Sequence, residues 1–259
     1  MADRISVVID AGHGGQEPGA VWEGRQEKDD TLRLALAVGQ ILTENGVDVS
    51  YTRVTDVYHQ PIQKAEMANH ADGDLFLSIH RNAMPVPGTA SGIQSLVYEN
   101  EGTAGAMAFN INQALTNMGW KDLGVVKRPG LVVLRKTEMP AVLVEAGFLD
   151  HEDDNRFFDE NFEKTAKAIA DGVLETIRQE EEEGPAYYQV QTGVFKSRED
   201  AERLLYELQA EDYPAFIVAE DGLYKVRAGA FLNVDNAAWM EKRLRAAGYP
   251  TMMILEGRR

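Results

Sequence analysis

The chain has 259 residues, 44% of them hydrophobic, which is enough for one large or two modest domains. It contains no cysteine, which excludes disulfides and thiolate metal sites, and no apolar run long enough to cross a membrane. Its net charge of −16 is concentrated in residues 1–186, which hold 16 of the 26 Lys/Arg and 31 of the 42 Asp/Glu. Such acidity argues against a nucleic-acid partner, although it also serves simply to keep a protein soluble. We expect neither a nucleic acid nor a membrane as a partner.

The first predicted element is a buried strand over residues 5–9 that ends in the turn Asp10-Ala11-Gly12-His13-Gly14-Gly15. Glycines on both sides of His13 let the backbone turn sharply and leave the imidazole uncovered. A phosphate-binding loop would need Gly-Lys-Ser/Thr or G-x-G-x-x-G, and neither pattern is present. A lone loop histidine is more often structural than a ligand. The hypothesis that His13 is a ligand therefore depends on finding further ligand-type residues elsewhere in the chain.

The following region alternates helical and strand patterns up to about residue 181. Helical spacing predicts helices over residues 28–45, 61–70, 104–118 and 156–181. Short apolar runs predict strands over residues 47–52, 75–79, 93–98, 132–134 and 141–144. This alternation predicts an α/β fold in which a twisted, largely parallel sheet is covered by helices on both faces.

A second region begins after Gly184-Pro185, which ends the last helical pattern. We therefore predict domains over residues 1–179 and 187–259, joined by a linker over residues 180–186. The second domain contains an internal repeat, because the segment that begins at Tyr188 returns at Tyr224. Each copy reads strand, helix, strand. Two copies predict a small ferredoxin-like βαββαβ domain with one open sheet face.

Four side chains are candidates for chemistry. His13, His80 and Glu145 lie at or just beyond the ends of predicted strands, and Glu27 opens the helix that follows the His13 turn. Because parallel strands end at one edge of a sheet, these groups are expected to gather there. Two histidines and one carboxylate are a common ligand set for catalytic zinc, and a second carboxylate could then transfer protons. Each residue alone also has a structural explanation, such as N-terminal helix charge for Glu27.

Five segments carry a resemblance to a known family: VIDAGHGG, GRQEKDD, TRVTD, ADGDLFLSIHRNA and PAVLVEAGFLD. Over residues 4–178 the chain resembles the zinc-dependent N-acetylmuramoyl-L-alanine amidases of type 3. The resemblance implies one Zn²⁺ per chain, held by His13, Glu27 and His80, with Glu145 as the catalytic carboxylate. It implies hydrolysis of the amide between N-acetylmuramic acid and the L-alanine of the peptidoglycan stem peptide. Glu145 would act as base on water and then as acid toward the alanine nitrogen.

Some positions depart from the family pattern or lack support from a motif. Lys64 replaces an arginine of the family, and we interpret its helix as structural. His151 replaces an asparagine, and we expect a surface histidine there, with a position near the metal edge as the alternative. His59 and His70 match no motif, and we interpret them as structural too.

The segment after His80 is the next feature. Arg81 and Asn82 follow this ligand directly, so they are candidates either for lining the substrate groove or for fixing the loop. Only residues 81–92 separate His80 from the next strand, which is too few for the helical plug that some relatives carry there. We therefore expect an open site that is controlled by when and where the enzyme is made.

Residues 187–259 resemble a SPOR domain, a module that binds peptidoglycan strands stripped of their stem peptides. The segments YYQVQTGVF and YKVRAGAF carry this resemblance. The pleat of a strand predicts that Tyr188, Val190, Tyr224 and Val226 face the helices. The open face would then present four polar side chains to glycan: Gln189, Gln191, Lys225 and Arg227. Such a face disfavours RNA, which usually stacks on exposed aromatic rings, but an ordinary solvated surface would look the same.

The prediction is therefore a monomeric two-domain cell-wall hydrolase, similar to the amidases that lyse the mother cell late in sporulation. Two alternatives are a non-catalytic peptidoglycan-binding protein and a zinc peptidase that cuts stem-peptide crosslinks. The first residues, Met-Ala-Asp-Arg, do not resemble a signal peptide. We expect action on the cell wall, either from the mother-cell cytoplasm at lysis or after secretion by another route.

Overall fold

A computed structural model describes residues 5–71, 73–183, 187–231 and 234–256. The chain divides into two compact units, residues Met1–Arg178 and Gln179–Arg259. The predicted linker over residues 180–186 begins inside a helix that continues to Glu183. Gly184 and Pro185, which we expected to end that helix, lie outside the described residues.

The first unit is built on a six-stranded mixed sheet with the strand order β4-β1-β5-β8-β6-β7. Its strands are β1 (Ser6–Ala11), β4 (Asp48–Tyr51), β5 (Leu75–Asn82), β6 (Ile93–Val97), β7 (Asp122–Lys127) and β8 (Ala141–Phe148). A separate hairpin contains β2 (Val21–Trp22) and β3 (Arg25–Gln26). Strands β4, β1, β5 and β8 are parallel, β6 is antiparallel to β8, and β7 is parallel to β6. The prediction of a largely parallel sheet is confirmed.

Helices cover both faces of this sheet. They are α1 (Glu27–Glu44), α2 (Pro61–His70), α3 (Gly102–Asn117), α4 (Val132–Lys136), α5 (Glu152–Glu160) and α6 (Phe162–Glu183). One core contains Val7 and Ile9 of β1 together with α1, α3 and α6. A second, smaller core contains the intervening Val8 together with α2 and α4. Since successive side chains of a strand point to opposite faces, β1 contributes to both cores.

The predicted elements differ from the structure at residues 132–134 and 156–181, and strand β7 and the hairpin of β2 and β3 were not predicted. The predicted strand over residues 132–134 is helix α4, whose Val133 and Leu134 are buried. A run of three apolar residues does not distinguish a strand from the buried side of a short helix. Strand β7 was missed because it lies at the sheet edge, is only partly buried and contains Gly124. The single helix predicted over residues 156–181 is the pair α5 and α6, separated at Asn161.

The second unit has the predicted order of elements. It contains β9 (Tyr187–Phe195), α7 (Arg198–Ala210), β10 (Ala215–Glu220), β11 (Leu223–Phe231), α8 (Val234–Ala246) and β12 (Met252–Glu256). The four strands form an antiparallel sheet in the order β10-β11-β9-β12, which confirms the ferredoxin-like expectation. Val190 and Val226 are fully buried against the two helices, as the pleat predicted. Within the ranges described above, no helix is long and apolar enough to cross a membrane.

Candidate metal and catalytic centre

The candidate residues gather at the edge formed by β1, β5 and β8, as predicted. Ala11 pairs with Ile79 across β1 and β5, and His80 pairs with Glu145 across β5 and β8. The one difference concerns strand length. His80 and Glu145 lie within β5 and β8 rather than at or beyond their ends, because both strands run several residues further than the apolar patterns indicated.

The turn after β1 holds His13 in a left-handed backbone conformation with a φ of 61°. Histidine tolerates this conformation better than most residues, and such strain concentrates at functional sites. Gly12 and Gly19 lie against the ligand side chains and leave room for them because glycine has no Cβ atom. A Cβ added at Gly12 would lie 2.5 Å from the His80 ring, and one added at Gly19 would lie 2.5 Å from Glu27 Oε2. These positions therefore exclude larger side chains.

His13, Glu27 and His80 form a compact cluster of possible ligands. His13 Nε2 lies 3.0 Å from Glu27 Oε2, and His80 Nδ1 lies 2.9 Å from Glu27 Oε1. The three donor atoms all lie within 4.8 Å of one another. Glu27 is buried, whereas both histidines are partly accessible to the neighbouring cavities. Two imidazole nitrogens and one carboxylate oxygen in this arrangement fit a divalent ion such as zinc.

The electrostatics favour an ionised Glu27. Burial alone would raise the pKa of Glu27, but hydrogen bonds and charge interactions with His13 and His80 hold it well below its usual range. Burial likewise disfavours the charged form of His13, yet its contacts with Glu27 and Glu17 raise the pKa of His13 above its usual value. Ionised Glu27 therefore supplies negative charge at this position, and a bound cation would take the place of the proton that His13 holds.

Each ligand is oriented by further contacts. His13 Nδ1 hydrogen-bonds to Glu17, whose second oxygen accepts a bond of 3.1 Å from the Gly19 amide. Glu27 accepts backbone hydrogen bonds from Ala20 at 2.9 Å and from Arg81 at 3.0 Å. Such outer contacts fix the ring orientation and tautomer of a ligating histidine. Sequence reasoning missed Glu17, although an acidic residue four positions after His13 in a tight turn was a usable signal.

A buried ion pair between Lys64 and Asp10 stabilises the turn that carries His13. Lys64 Nζ lies 2.9 Å from Asp10 Oδ1 and donates to the Ala11 carbonyl at 2.7 Å. Thr52 and Ser78 donate to the two Asp10 oxygens at 2.6 and 2.7 Å. Burial opposes ionisation of Asp10, but the Lys64 charge outweighs it and lowers the pKa of Asp10. Lys64 is structural, as predicted, and it anchors the strand that carries His13.

Glu145 is a partly buried carboxyl group at this edge of the sheet. It lies between His80 of β5 and Gln94 of β6 in the sheet register. Part of its side chain reaches the cavity, but its Oε2 atom is buried and has no hydrogen-bond partner among the described residues. Burial is the main cause that raises the pKa of Glu145 to about 7. A carboxyl group with that pKa can both accept and donate a proton near neutral pH.

Two cavities flank the histidine ligands. The first, of about 320 Å³, is bordered by Asp10, His13, Glu17, Tyr58, His59, Pro61, Lys64, His80, Gly130, Leu131, Val132, Val133 and Leu143. The second, of about 290 Å³, is bordered by His13, Ala20, Glu27, His80, Arg81, Asn82, Ala83, Leu96, Arg128, Leu131, Leu143 and Glu145. The described segment 83–92 contains no helix, so it does not supply a helical plug for either cavity.

Arg81 and Asn82 differ in their surroundings. The Arg81 guanidinium is buried, bonds Asp30 at 2.7 Å and Asn155 at 2.8 Å, and lies 4.2 Å from the centre of the Phe158 ring. Because these contacts occupy the guanidinium, they favour the interpretation of Arg81 as a residue that fixes the loop. Asn82 borders the second cavity, and its side-chain oxygen accepts a hydrogen bond from the Ala83 amide at 2.9 Å.

The other histidines fall into two groups. His70 bonds the Glu66 carbonyl through Nδ1 at 2.7 Å, and His151 accepts from the Asp154 amide at the start of α5. Neither belongs to the cluster of ligand-type residues, and His151, which we expected on the surface, is partly buried as the N-cap of α5. His59 borders the first cavity, beside the ligands, which its lack of a motif had not suggested.

The open face of the second unit is less accessible than predicted. Lys225 and Gln191 are half-buried, but Gln189 and Arg227 are only 7% and 2% exposed. The expectation of four accessible polar groups is therefore wrong for Gln189 and Arg227. The physical reason is a polar cluster: Arg227 bonds Gln189 at 3.1 Å and forms ion pairs with Glu220 and Glu256.

Sequence comparisons agree with this geometry. The profile of the N-acetylmuramoyl-L-alanine amidase family matches residues 7–175, and that of the SPOR domain matches residues 184–254. A sporulation-specific N-acetylmuramoyl-L-alanine amidase of Bacillus subtilis (strain 168) is 34% identical over 223 residues, which cover 84% of this chain and 86% of the relative. An endolysin of Bacillus phage SPP1 is 35% identical over 188 residues, which cover 69% of this chain and 68% of the relative.

Solved structures show the same fold for the first unit. The crystal structure of an N-acetylmuramoyl-L-alanine amidase from Clostridium difficile 630 matches with a TM-score of 0.64 and 30% identity, over 68% of this chain and 98% of that one. An amidase of Nostoc punctiforme matches with a TM-score of 0.64 and 30% identity, over 69% of this chain and 99% of that one.

Proposed function

The chain belongs to the N-acetylmuramoyl-L-alanine amidase family and carries a SPOR domain, and from this premise we propose the roles of its individual residues. His13, Glu27 and His80 hold one zinc ion. Glu145 transfers the proton when the amide between N-acetylmuramic acid and L-alanine is hydrolysed. The observation that carries this proposal is the buried, unpartnered Glu145 Oε2 beside a cluster of three ligand-type side chains.

The chain's own residues account for the proton transfers. Zinc, when bound, supplies a Lewis acid that polarises the scissile carbonyl and makes an attacking water more acidic. Ionised Glu145 takes a proton from that water. The neutral carboxyl group then delivers the proton to the departing alanine nitrogen, which restores the ionised form. Burial favours the neutral form of Glu145 and a nearby zinc ion would favour its ionised form, so the surroundings support both of the forms that the two steps need.

The second unit keeps the enzyme on its product. A SPOR domain binds peptidoglycan, and we propose that this one prefers glycan strands already stripped of stem peptides. Each cleavage would then create a new attachment point next to uncut substrate, which raises the local enzyme concentration. The half-buried Gln191 and Lys225 of the open face offer hydrogen-bonding groups that suit sugar hydroxyls, while Arg227 and Gln189 are buried beneath them.

The biological role is proposed from the proteins that this chain resembles. Because a sporulation-specific amidase matches both units of the chain, we propose a role in sporulation. The ligand-type residues and Glu145 all come from one chain, which is what a monomeric enzyme requires. The net charge of −15 on residues 1–186 argues against nucleic acid as a partner.

The test is to identify the new amino terminus that the protein releases from purified peptidoglycan. Mass spectrometry of the soluble products is expected to show peptides that begin with free L-alanine. Peptides that begin with another residue would instead indicate a peptidase that cuts crosslinks. No new amino termini, on wall material that the protein still binds, would leave a non-catalytic binding protein.

A further inference from the structure

The two cavities beside the ligands differ in whether the catalytic residue Glu145 lines them. Both contain His13 and His80, so both adjoin the place where the scissile carbonyl would be polarised. Only the second cavity contains Glu145. Because Glu145 delivers its proton to the departing nitrogen, that nitrogen and the peptide attached to it belong in the second cavity. The muramic acid side of the amide then lies toward the first cavity, which has an apolar wall of Leu131, Val132 and Val133.

Arg128 lies at the edge of the second cavity in a well-defined turn. Its amide donates to the Val97 carbonyl at 2.8 Å, which ties the turn to β6. Its carbonyl accepts from the Leu131 amide at 3.1 Å, which closes the turn before α4. The backbone is therefore fixed, and the exposed guanidinium extends from it beside the cavity that contains Glu145.

Arg128 pairs with no carboxylate among the described residues. Its one side-chain hydrogen bond in the described part of the chain is to the carbonyl of its neighbour Lys127, at 3.3 Å. Three other cationic side chains near the candidate metal centre already form ion pairs with carboxylates. Lys64 pairs with Asp10, Arg81 with Asp30, and Lys127 with Glu99. In a region with a net charge of −15, an uncommitted guanidinium beside the catalytic cavity is a site for an anion.

We propose that Arg128 binds a carboxylate of the stem peptide on the leaving side of the scissile bond, and so selects for an acidic rather than an amidated second residue. The proposal rests on the amidase function and on Glu145 as the proton donor. Stem peptides are anionic, and the first carboxylate beyond L-alanine belongs to the second residue. A guanidinium recognises a carboxylate through two parallel hydrogen bonds, which an amide cannot match. Arg128 is then a specificity determinant of the peptide.

The experiment uses two synthetic muramoyl-peptides that differ only in whether the second residue carries a free carboxylate or an amide. The full chain, loaded with zinc, is expected to favour the free acid by about two- to fivefold in kcat/KM, since exposed ion pairs contribute up to about 1 kcal/mol. In Arg128→Gln, the kcat/KM for the free acid is expected to fall to that for the amide. The change should appear in KM, because the contact forms with the substrate before the reaction. Arg128→Glu should favour the amide.

A matched control is Arg135→Gln, which removes an exposed arginine of the same segment that borders neither cavity. It is expected to keep the preference of the original chain. The proposal is overturned if the original chain shows no preference, or if Arg128→Gln keeps it. A different failure, in which the original chain releases no free L-alanine from either substrate, would overturn the amidase function itself rather than the role of Arg128.

Discussion

Each unit of the protein contains one arginine that is 2% exposed, and the two arginines have different surroundings. Arg81 in the first unit bonds Asp30 and Asn155 and lies over the Phe158 ring. Arg227 in the second unit bonds Gln189 and faces Glu220 at 3.7 Å, but its Nε has no partner among the described residues. Its cross-strand neighbour Gln191 likewise has an unpartnered buried oxygen.

The difference shows how the two units use buried polar groups. A fully paired cation such as Arg81 fixes the backbone that carries His80, because moving it would leave a charge uncompensated. A partly paired cluster such as that around Arg227 depends instead on carboxylates that remain partly hydrated, so it fixes its surroundings less firmly. We interpret the first as a support for catalysis and the second as a weaker support for the open sheet face.

The largest expected effect is on stability. Arg81→Met is expected to lower the free energy of unfolding by about 3 kcal/mol, since it breaks a buried ion pair, although Asp30 keeps Arg25 at 2.7 Å. Arg227→Met is expected to cost about 1 kcal/mol or less, because Glu220 and Glu256 are about one third exposed and can be hydrated instead. Urea denaturation of the full chain, followed separately for each unit, measures both values. Equal losses would contradict the comparison.

A pH dependence is expected from Glu145 in the metal-free protein. Above about pH 4.5 the unfolded chain releases this proton, whereas the folded chain keeps it up to about pH 7. The free energy of unfolding therefore falls as the pH rises through this window and then levels off, by about 3 kcal/mol in total. Because Glu145→Gln cannot ionise, the difference between variant and original chain should grow over the same window. A constant difference from pH 4.5 to 8 would show that Glu145 is not buried as described.

Glu17 is expected to affect zinc binding rather than the fold. Glu17→Gln removes the charge that holds His13 Nδ1, and the loss of such an outer contact typically weakens metal binding by about 10- to 100-fold. Competition with a chromophoric chelator measures the dissociation constant of zinc from each variant. Glu138→Gln, an exposed change far from the cluster in sequence, is the control and should leave it unchanged. An unchanged constant in Glu17→Gln would show that the contact does not orient the ligand.

The smallest expected effect is on glycan binding. Lys225→Gln, at a half-buried position of the open face, is expected to weaken binding of the full chain to stripped glycan strands by about three- to tenfold, as for one ordinary hydrogen bond. Cosedimentation with glycan measures it, and Arg203→Gln on the exposed surface of α7 is the control. A loss in both variants would indicate general charge attraction rather than a contact at the open face.

The sequence predicted the elements whose signals are local. The apolar run before Gly12, the helical spacing of α1 and the repeat of the second unit each depend on neighbouring residues, and all three were confirmed. The meeting of His13, His80 and Glu145 followed from a general property of parallel strands. The short apolar helix α4 and the edge strand β7 lacked such signals and were not predicted correctly.

Charged residues inside the protein were harder to predict, because their burial depends on contacts between distant segments. Lys64 of α2 reaches Asp10 of β1, and Arg81 of β5 reaches Asn155 of α5. On the open face, the strand pleat identified the correct side for Arg227 but not its burial among Gln189, Glu220 and Glu256. A periodic pattern predicts which way a side chain points and does not predict what covers it.

The central claim is that His13, Glu27 and His80 hold the metal while Glu145 moves the proton. The most direct measurement determines zinc content and release of free L-alanine in parallel for the original chain, Glu145→Gln and His80→Ala. Glu145→Gln is expected to keep one zinc per chain and to lose at least about 100-fold in turnover, as for the loss of a general base. His80→Ala is expected to lose both zinc and turnover. Near-normal turnover in Glu145→Gln, or a full zinc content in His80→Ala, would contradict the account.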